Sequence, residues 1–227
     1  AMNADSPEAA RHAAGAVVAA VDAVLGESSK VAFCAVRPPG HHATRDTAMG
    51  FCLFNSVAVG AAHALAKHGL QRVAIVDFDV HHGNGTQDIF QNDPRVLYVS
   101  SHQAPLYPHT GHAHETGVDN LLNLPLAEGA AGDRIQEIYR TRALPTLRAF
   151  RPQLLFISAG FDAHHLDPLA GLNLEAEDFI WLTQELMKVA DECCEGRIVS
   201  VLEGGYSLAA LRECSIAHVA ALAGMLD

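Results

Sequence analysis

The amino-acid sequence predicts a single α/β domain, residues 1–227, in which helices cover both faces of a mostly parallel sheet. Three observations support this fold class. Short apolar segments without polar alternation, typical of strands buried on both faces, alternate with segments of helical pattern. Polar residues follow these apolar segments directly, as they do at the carboxyl ends of parallel strands. No linker, repeat or low-complexity segment divides the chain.

The first half of the chain alternates between helix and strand signals. A helix is predicted over residues 6–25, since a Ser-Pro-Glu start and a following glycine are typical of helix ends. A buried strand is predicted at 31–36, before a Pro-Pro-Gly turn. The Ala-rich segment 54–67 predicts a second helix, and apolar segments predict strands at 72–78 and 96–101.

The second half continues the alternation after a polar, His- and Pro-containing loop. Each apolar strand segment is again followed by glycine or by acidic residues. The remaining elements are an apolar segment at 120–126, a helix at 133–150, a strand at 153–160, a helix at 174–189, a strand at 197–202 and a helix at 208–226.

The composition is that of a well-packed enzyme, with 49% hydrophobic and 18% charged residues. A net charge of −11 without a basic segment argues against nucleic-acid binding and is compatible with a cationic substrate. No apolar run is long enough to span a membrane, and we see no secretory pattern. The five cysteines are odd in number and lack a C-x-x-C pair, so we expect neither disulfides nor a zinc-thiolate site, and we predict a cytoplasmic location.

The segment VDFDVHHGNGTQ places two aspartates and two histidines at the end of a predicted strand. Strand alternation puts Asp77, Asp79 and His81 on one side and His82 on the other. Asp79 and His81 are then placed to bind one metal ion, with Asp162 after a later strand as third ligand. Three protein ligands and an open position are typical of catalytic zinc. A hydrogen-bonded polar loop without metal is the alternative.

Two further groups of residues suit catalysis. His41 and His42 follow the rigid Pro-Pro-Gly turn and are suited to proton transfer beside an activated water, with Asp77 and Asn84 as candidate partners for their rings. Tyr206 follows two glycines, where its phenol is suited to stabilise an oxyanion. A core tyrosine after a turn is an equally supported alternative.

The other histidines of the strand ends carry no such argument. His82 is assigned to structure, and loop or surface positions are predicted for His102, His109, His112, His114, His164 and His165. The sequence lacks the glycine-rich phosphate-binding motifs and the G-x-S-x-G motif, which disfavours a nucleotide-binding protein and a serine hydrolase.

Five segments of the chain are distinctive: RPPGHHA (37–43), GFCLFNS (50–56), VDFDVHHGNGTQ (76–87), SAGFDAH (158–164) and EGGYSL (203–208). Together they resemble the histone deacetylase family, best its class II-like and bacterial deacetylase-like members. Their order and spacing agree with the family over about residues 5–225. The resemblance implies an arginase-deacetylase-type three-layer α-β-α fold and a zinc-dependent amidohydrolase that removes acetyl groups from acetyl-lysine.

The resemblance also implies roles for single residues. His42 would act as general base and then acid, with His41 as its electrostatic neighbour. Asn84 would support His42, and because an amide favours an imidazolium less than a carboxylate does, His42 would be less basic. The implied catalytic residues are His41, His42, Asp77, Asn84 and Tyr206, and the implied ligands of zinc, or of iron(II), are Asp79, His81 and Asp162.

Two further sites are implied by the same resemblance. Aromatic walls and glycines would form a tunnel for the apolar lysine stem. A structural potassium ion would also be bound. The implied substrate-binding residues are Gly50, Phe51, Tyr107 and Gly205, and the implied potassium site comprises Asp77, Asp79, His81, Ser100 and Ser101.

The chain departs from the family pattern at its start, where relatives usually have several dozen further residues, including a strand. We therefore expect the usual N-terminal segment to be absent, with self-association as one way to cover an exposed sheet edge. Alternative functions are deacetylation of acetylpolyamines or other small amides or esters, and non-catalytic binding of acetylated amines. A manganese ureohydrolase would need additional aspartate ligands.

Overall fold

The computed structural model describes residues 2–226 and confirms the predicted α/β fold with helices on both faces of the sheet. The sheet has six strands in the order β1-β6-β5-β2-β3-β4, and every neighbouring pair is parallel. The strands are β1 (Val31–Cys34), β2 (Val73–Asp77), β3 (Val96–Gln103), β4 (Leu121–Leu126), β5 (Leu154–Ala159) and β6 (Ile198–Leu202).

Seven α-helices within the described residues form the outer layers. The first three pack on one face of the sheet and the other four on the opposite face. The helices are α1 (Ser6–Leu25), α2 (Ser56–Lys67), α3 (Asn84–Phe90), α4 (Gly132–Ile138), α5 (Leu144–Phe150), α6 (Ala176–Cys194) and α7 (Leu208–Leu222).

The double covering explains why the strands lack polar alternation. In β2, Ile75 packs in the layer of α1 and α2, whereas Val76 packs in the layer of α6 and α7. All residues of β2, β3 and β5 are buried. A strand buried on both faces reads as a continuous apolar run, which is the pattern that predicted the sheet.

Several elements differ from their predicted bounds, among them β1, which ends at Cys34, and α6, which continues to Cys194. The helix expected at 133–150 is divided by a π-helical turn, Tyr139–Ala143, just before Pro145, which cannot donate a backbone hydrogen bond. The third strand continues to Gln103. Helix α3 was not predicted, because it is short and begins with Asn84 and a glycine, which favour helices weakly.

The order of the strands creates one crevice at the carboxyl edge of the sheet. From β2 the chain proceeds outward through β3 to β4, whereas from β5 it proceeds to β6 on the other side. Helical connections therefore diverge between β2 and β5, which lie side by side. Ligands of open parallel sheets bind at such a switch point.

Within the part of the chain described, no helix is long and apolar enough to cross a membrane. All five cysteines are free thiols.

Candidate active site

Acidic and imidazole side chains converge in the crevice between β2 and β5. Asp77 is the last residue of β2, and Asp79 and His81 follow it directly. Asp162 follows β5, the neighbouring strand. Each of these carboxylates is at most 1% exposed. Charges buried this deeply need partners, because an isolated ion in the interior is strongly destabilising.

Asp79, His81 and Asp162 form a compact cluster. The Nδ1 atom of His81 lies 3.1 Å from Oδ1 of Asp79 and 3.1 Å from Oδ2 of Asp162. One ligand atom from each residue lies within 4.8 Å of the others. Backbone N–H groups complete the cluster, since Val80 donates to Asp162 Oδ1 and Gly204 donates to Asp79 Oδ2. The residues predicted as metal ligands are thus brought together.

Two glycines leave space for the carboxylates of Asp79 and Asp162. A Cβ atom added to Gly160 would collide with the carboxylate of Asp79, and one added to Gly204 would collide with that of Asp162. The backbone after β5 and the backbone after β6 therefore approach the cluster more closely than they could if either glycine position had a side chain. This explains glycine at both positions without a requirement for unusual backbone angles.

The imidazole ring of His41 is held in place by the carboxylate of Asp77. Its Nδ1 donates to Oδ2 of Asp77 at 3.0 Å, and the hydroxyl of Tyr98 donates to the same oxygen at 2.9 Å. Burial disfavours the imidazolium, but the negative charges of Asp79 and Asp77 outweigh it and raise the pKa of His41 well above its usual value. His41 is therefore a buried cation beside the cluster.

His42 has a different electrostatic environment from its neighbour. Its Nδ1 lies 2.8 Å from Oδ1 of Asn84, whose amide nitrogen donates to the carbonyl of His42 at 3.3 Å. Asn84 Oδ1 is thus the acceptor, so Nδ1 of His42 carries the proton and Nε2 is free to accept one. Burial and the adjacent His41 charge lower the pKa of His42 to about 3.

Aromatic side chains surround this cluster on the solvent side. The ring centroid of Tyr107 lies 5.2 Å from that of His42, and the ring of Phe51 lies 6.0 Å from that of Tyr206. Phe51 is 68% exposed and Tyr206 is 36% exposed. Burial and the charge of Asp79 raise the pKa of Tyr206, which therefore remains a protonated hydrogen-bond donor.

Gly50 and Gly205, the two glycines predicted to contact substrate, lie next to His42 and Tyr206. Gly50, with φ of 56°, packs against the ring of His42, and its carbonyl accepts from the thiol of Cys52 at 3.3 Å. Gly205 has φ of 143° directly before Tyr206. Both positions require the conformational freedom of glycine. The predicted substrate-binding residues thus lie on the solvent side of the cluster, and their contacts with substrate stay predictions. They are Gly50, Phe51, Tyr107 and Gly205.

Comparison with known proteins identifies the family of the chain. The profile of the histone deacetylase domain matches residues 1–222. The chain belongs to the histone deacetylase family. It is 42% identical to the histone deacetylase-like amidohydrolase of Pseudomonas aeruginosa over 97% of this chain and 59% of that protein. It is 45% identical to the protein named histone deacetylase 10, chloroplastic, of Oryza sativa subsp. japonica, over 87% of this chain and 47% of the relative.

The fold is also that of a solved histone deacetylase domain. The crystal structure of the HDA15 HD domain superposes with a TM-score of 0.94 at 39% identity, over 98% of this chain and 63% of that one. The chain thus spans roughly half to two-thirds of the length of these proteins. The predicted cytoplasmic location and self-association stay predictions.

In this histone deacetylase-family chain, the cluster fits a divalent metal ion. Two carboxylates and one imidazole are ligands that zinc accepts. Burial and repulsion by the nearby Asp79 carboxylate raise the pKa of Asp162, and a cation between the two carboxylates would relieve that repulsion. Burial opposes protonation of His81, but Asp162 and Asp79 raise its pKa to about 10. A bound cation would replace that proton.

In the predicted potassium site, the serine side chains already have hydrogen-bond partners within the protein. Asp77 and Ser100 are register partners on β2 and β3. The hydroxyl of Ser100 lies 2.9 Å from Nδ1 of His102, and that of Ser101 lies 3.1 Å from the Tyr139 hydroxyl. The side-chain oxygens of both serines thus have partners, and potassium binding by Asp77, Asp79, His81, Ser100 and Ser101 stays a prediction.

Two carboxylates of the site were not predicted. Glu203 follows β6 and is buried, and its Oε2 accepts from the backbone N–H groups of Gly40, at 2.7 Å, and His41, at 3.1 Å. Burial raises the pKa of Glu203 to about 7. The strand-end rule that led to Asp79 and Asp162 could have found it. Asp167, which bonds to the backbone of Tyr206, lies in a loop and gives no such signal.

One of the histidines predicted at loop or surface positions lies in a strand instead. His102 lies within β3, where its Nε2 bonds to the carbonyl of Gly111 at 3.0 Å. This prediction was wrong because the extension of β3 depends on a distant segment. His164 lies in the loop after β5, as predicted, although it is only 3% exposed. His82 bonds through its two ring nitrogens to Thr110 and Gln87, on the side away from the metal cluster.

Proposed function

We propose that this chain is a metal-dependent deacetylase that hydrolyses the acetyl amide of acetyl-lysine side chains in peptides and proteins. The observation that carries the proposal is the convergence of three elements in one crevice. These are a metal-ligating cluster of Asp79, His81 and Asp162, a neutral imidazole at His42 and a phenol at Tyr206. Amide hydrolysis needs a polarised carbonyl, a general base and an oxyanion donor.

His42 is the proton carrier of the proposed reaction. Its Nε2 accepts a proton from the attacking water and returns it to the leaving amine, while Asn84 keeps the ring in the required tautomer. Asp79, His81 and Asp162 would hold zinc or iron(II), which would supply Lewis-acid chemistry for polarising the acetyl carbonyl and easing deprotonation of water. Tyr206 donates its hydroxyl proton in a hydrogen bond to the developing oxyanion.

His41 acts on this step through its charge. Its ring centroid lies 4.1 Å from that of His42, and Asp77 holds it as an imidazolium. A fixed positive charge at that distance disfavours a second proton on His42, so the proton accepted from water is readily passed on to the amine. His41 therefore tunes proton release, while His42 carries out the transfer.

The surroundings of the site suit a lysine side chain. Phe51 and Tyr107 present aromatic surface beside the cluster, which favours an apolar methylene stem over a charged one. The net charge of −11 favours approach of substrates with further cationic groups. Acetylated polyamines share this chemistry, so they are the substrate class against which acetyl-lysine has to be compared.

The test is hydrolysis of an acetyl-lysine peptide and of N-acetylputrescine by the metal-reconstituted protein. We expect turnover of the peptide, about 10²–10⁴-fold lower in His42→Ala and about 10²–10³-fold lower in Tyr206→Phe. His12→Gln, which removes an exposed histidine of α1, is the matched control and should retain full activity.

Each outcome bears on the proposal. Undiminished rates in His42→Ala and Tyr206→Phe would contradict the mechanism. A higher kcat/KM for acetylputrescine than for the peptide would contradict the assigned substrate. Stoichiometric metal without turnover of either substrate would favour the alternative function of a binding protein.

A further inference from the structure

Two histidines converge on one carboxylate at the edge of the sheet opposite the candidate active site. Asp22 lies near the end of α1, and His63 and His68 lie near and directly after the end of α2. Both helices end where their following strands begin, so this cluster lies at the amino ends of the strands. The catalytic proposal uses none of these residues.

The geometry of the three side chains is tight. The Nε2 atoms of His63 and His68 each lie 2.7 Å from Oδ1 of Asp22. The two imidazole rings are nearly perpendicular, at 73°, with centroids 5.5 Å apart. Both rings therefore aim the same nitrogen at one point from different directions, which is the arrangement that imidazole ligands of a metal ion adopt.

We propose that Asp22, His63 and His68 form a second site for a divalent transition metal, of which zinc is the test ion. The ligand atoms all lie within 4.8 Å of one another. Two imidazole nitrogens and a carboxylate oxygen are a donor set that zinc, nickel, cobalt and copper accept. The side chains of His63, His68 and Asp22 are 19%, 24% and 38% exposed, so solvent can reach a fourth position.

The charge balance of the cluster suits a cation. Hydrogen bonds from His63, His68 and Lys67 lower the pKa of Asp22 below its usual value, so its carboxylate is ionised at neutral pH. Lys67 contacts the other carboxylate oxygen, Oδ2, at 3.1 Å and is 60% exposed. Its ammonium group is free to turn into solvent, and it leaves Oδ1 to the two imidazoles and the metal.

A metal ion bound here would link α1 to α2, two helices that pack on the same face of the sheet. Because the ligands come from both helices, the site exists only when the helices are packed together. Binding would therefore stabilise the folded chain. This effect is independent of the proposed deacetylase function, since the site lies at the opposite edge of the sheet.

The test is titration of the metal-free full chain with Zn²⁺, followed by equilibrium dialysis and metal analysis. We expect two equivalents in the wild-type chain and one in His63→Gln and in His68→Gln. Asp162→Asn should also bind one equivalent, at this second site. His12→Gln is the matched control, since it removes an exposed α1 histidine that contacts a single carboxylate, and it should bind two.

Thermal unfolding with and without Zn²⁺ gives a second readout. In the Asp162→Asn background, Zn²⁺ should raise the Tm, and His68→Gln should abolish that rise. One equivalent in the wild-type chain that is lost in Asp162→Asn would overturn the proposal. Two equivalents that persist in both His63→Gln and His68→Gln would overturn it as well. Loss of metal only from the active-site variant would leave the deacetylase proposal intact.

Discussion

The carboxylate of Asp167 holds the main chain of Tyr206. Its Oδ2 accepts hydrogen bonds from the backbone N–H groups of Tyr206, at 2.7 Å, and Ser207, at 3.2 Å, and its Oδ1 accepts from Leu169, at 3.0 Å. Asp167 is 6% exposed. The loop that carries Asp162 is thereby tied to the turn that carries the phenol, so the metal-ligating cluster and Tyr206 keep a fixed relation.

The first prediction concerns this positioning residue. Asp167→Ala would leave three N–H groups without their acceptor, and we expect a loss of ~1–3 kcal/mol in the free energy of unfolding. Because Tyr206 would lose its fixed position, we also expect kcat for the acetyl-lysine peptide to fall by ~10²-fold with little change in KM. Denaturant unfolding and steady-state kinetics measure the two effects.

Asp167→Asn is the conservative comparison, since it keeps the shape and one acceptor oxygen. It should recover part of the lost kcat. Wild-type kcat in a destabilised Asp167→Ala protein would show that the residue supports the fold alone.

The second prediction concerns the glycines beside the cluster. Gly160→Ala would place a methyl group against the carboxylate of Asp79, so we expect loss of metal binding and of activity. Gly15→Ala is the control, because a Cβ there meets no other atom within 4 Å and Gly15 lies within α1. That variant should gain about 0.5–1 kcal/mol of stability. Bound metal is measured after dialysis, and full metal content in Gly160→Ala would refute the prediction.

The third prediction concerns acid stability. His218 is fully buried, with Nδ1 at 2.7 Å from the Thr183 hydroxyl and Nε2 at 2.8 Å from that of Ser200. Thr183 donates to the carbonyl of Phe179, so Nδ1–H of His218 donates to Thr183 and Nε2 accepts from Ser200. Burial lowers the pKa of His218 to about 3. The neutral ring is satisfied on both sides.

The direction of the effect follows from proton binding. Between the ordinary pKa of histidine, about 6.5, and the folded value of about 3, the unfolded chain binds the proton and the folded chain does not. Above that window the free energy of unfolding therefore keeps the full contribution of His218. Inside the window it decreases as the pH is lowered, by up to ~1.4 kcal/mol per pH unit for one proton. Urea unfolding from pH 7.5 to 4.5 should show a shallower decline in His218→Gln. An unchanged slope would contradict this account.

The fourth prediction concerns removal of metal from the candidate active site. Chelation should lower the Tm, because the metal binds only the folded chain. At a free metal concentration of 100 times Kd the stabilisation is ~2.7 kcal/mol, a shift of ~5–10 °C for a chain of this length. Calorimetry in the His63→Gln background isolates this site. The shift should vanish when Asp162→Asn is added, and its persistence would place the metal elsewhere.

The sheet and much of the site could be predicted because short segments of the sequence contain the patterns that identify them. Continuous apolar segments identify strands buried on two faces, and polar residues after them meet at one edge. Strand alternation predicted that Asp79 and His81 lie on one side, and the two residues do meet, although β2 ends at Asp77 and both lie in the segment after it. Asp162 needed only the rule that strand ends converge. The family resemblance added the roles of these residues, which no local pattern contains.

The remaining features depend on contacts between distant segments. Glu203 and Asp167 act on the backbone of residues far away in the sequence, so their neighbours carry no sign of the contact. The burial of His102 results from the extension of β3 along β4. His63 and His68 have a spacing of five, which is not a helical ligand spacing, and they meet Asp22 only because α1 packs beside α2.

The crevice between β2 and β5 also has a consequence for synthesis of the chain. His81 and Asp162 are 81 residues apart, and Gly204 reaches the cluster from still later in the chain. A nascent chain therefore leaves the ribosome with two ligands long before the third, and parallel pairing over such separations is slow. We therefore expect uptake of the proposed metal ion to be a late event in folding, after the two central strands have met.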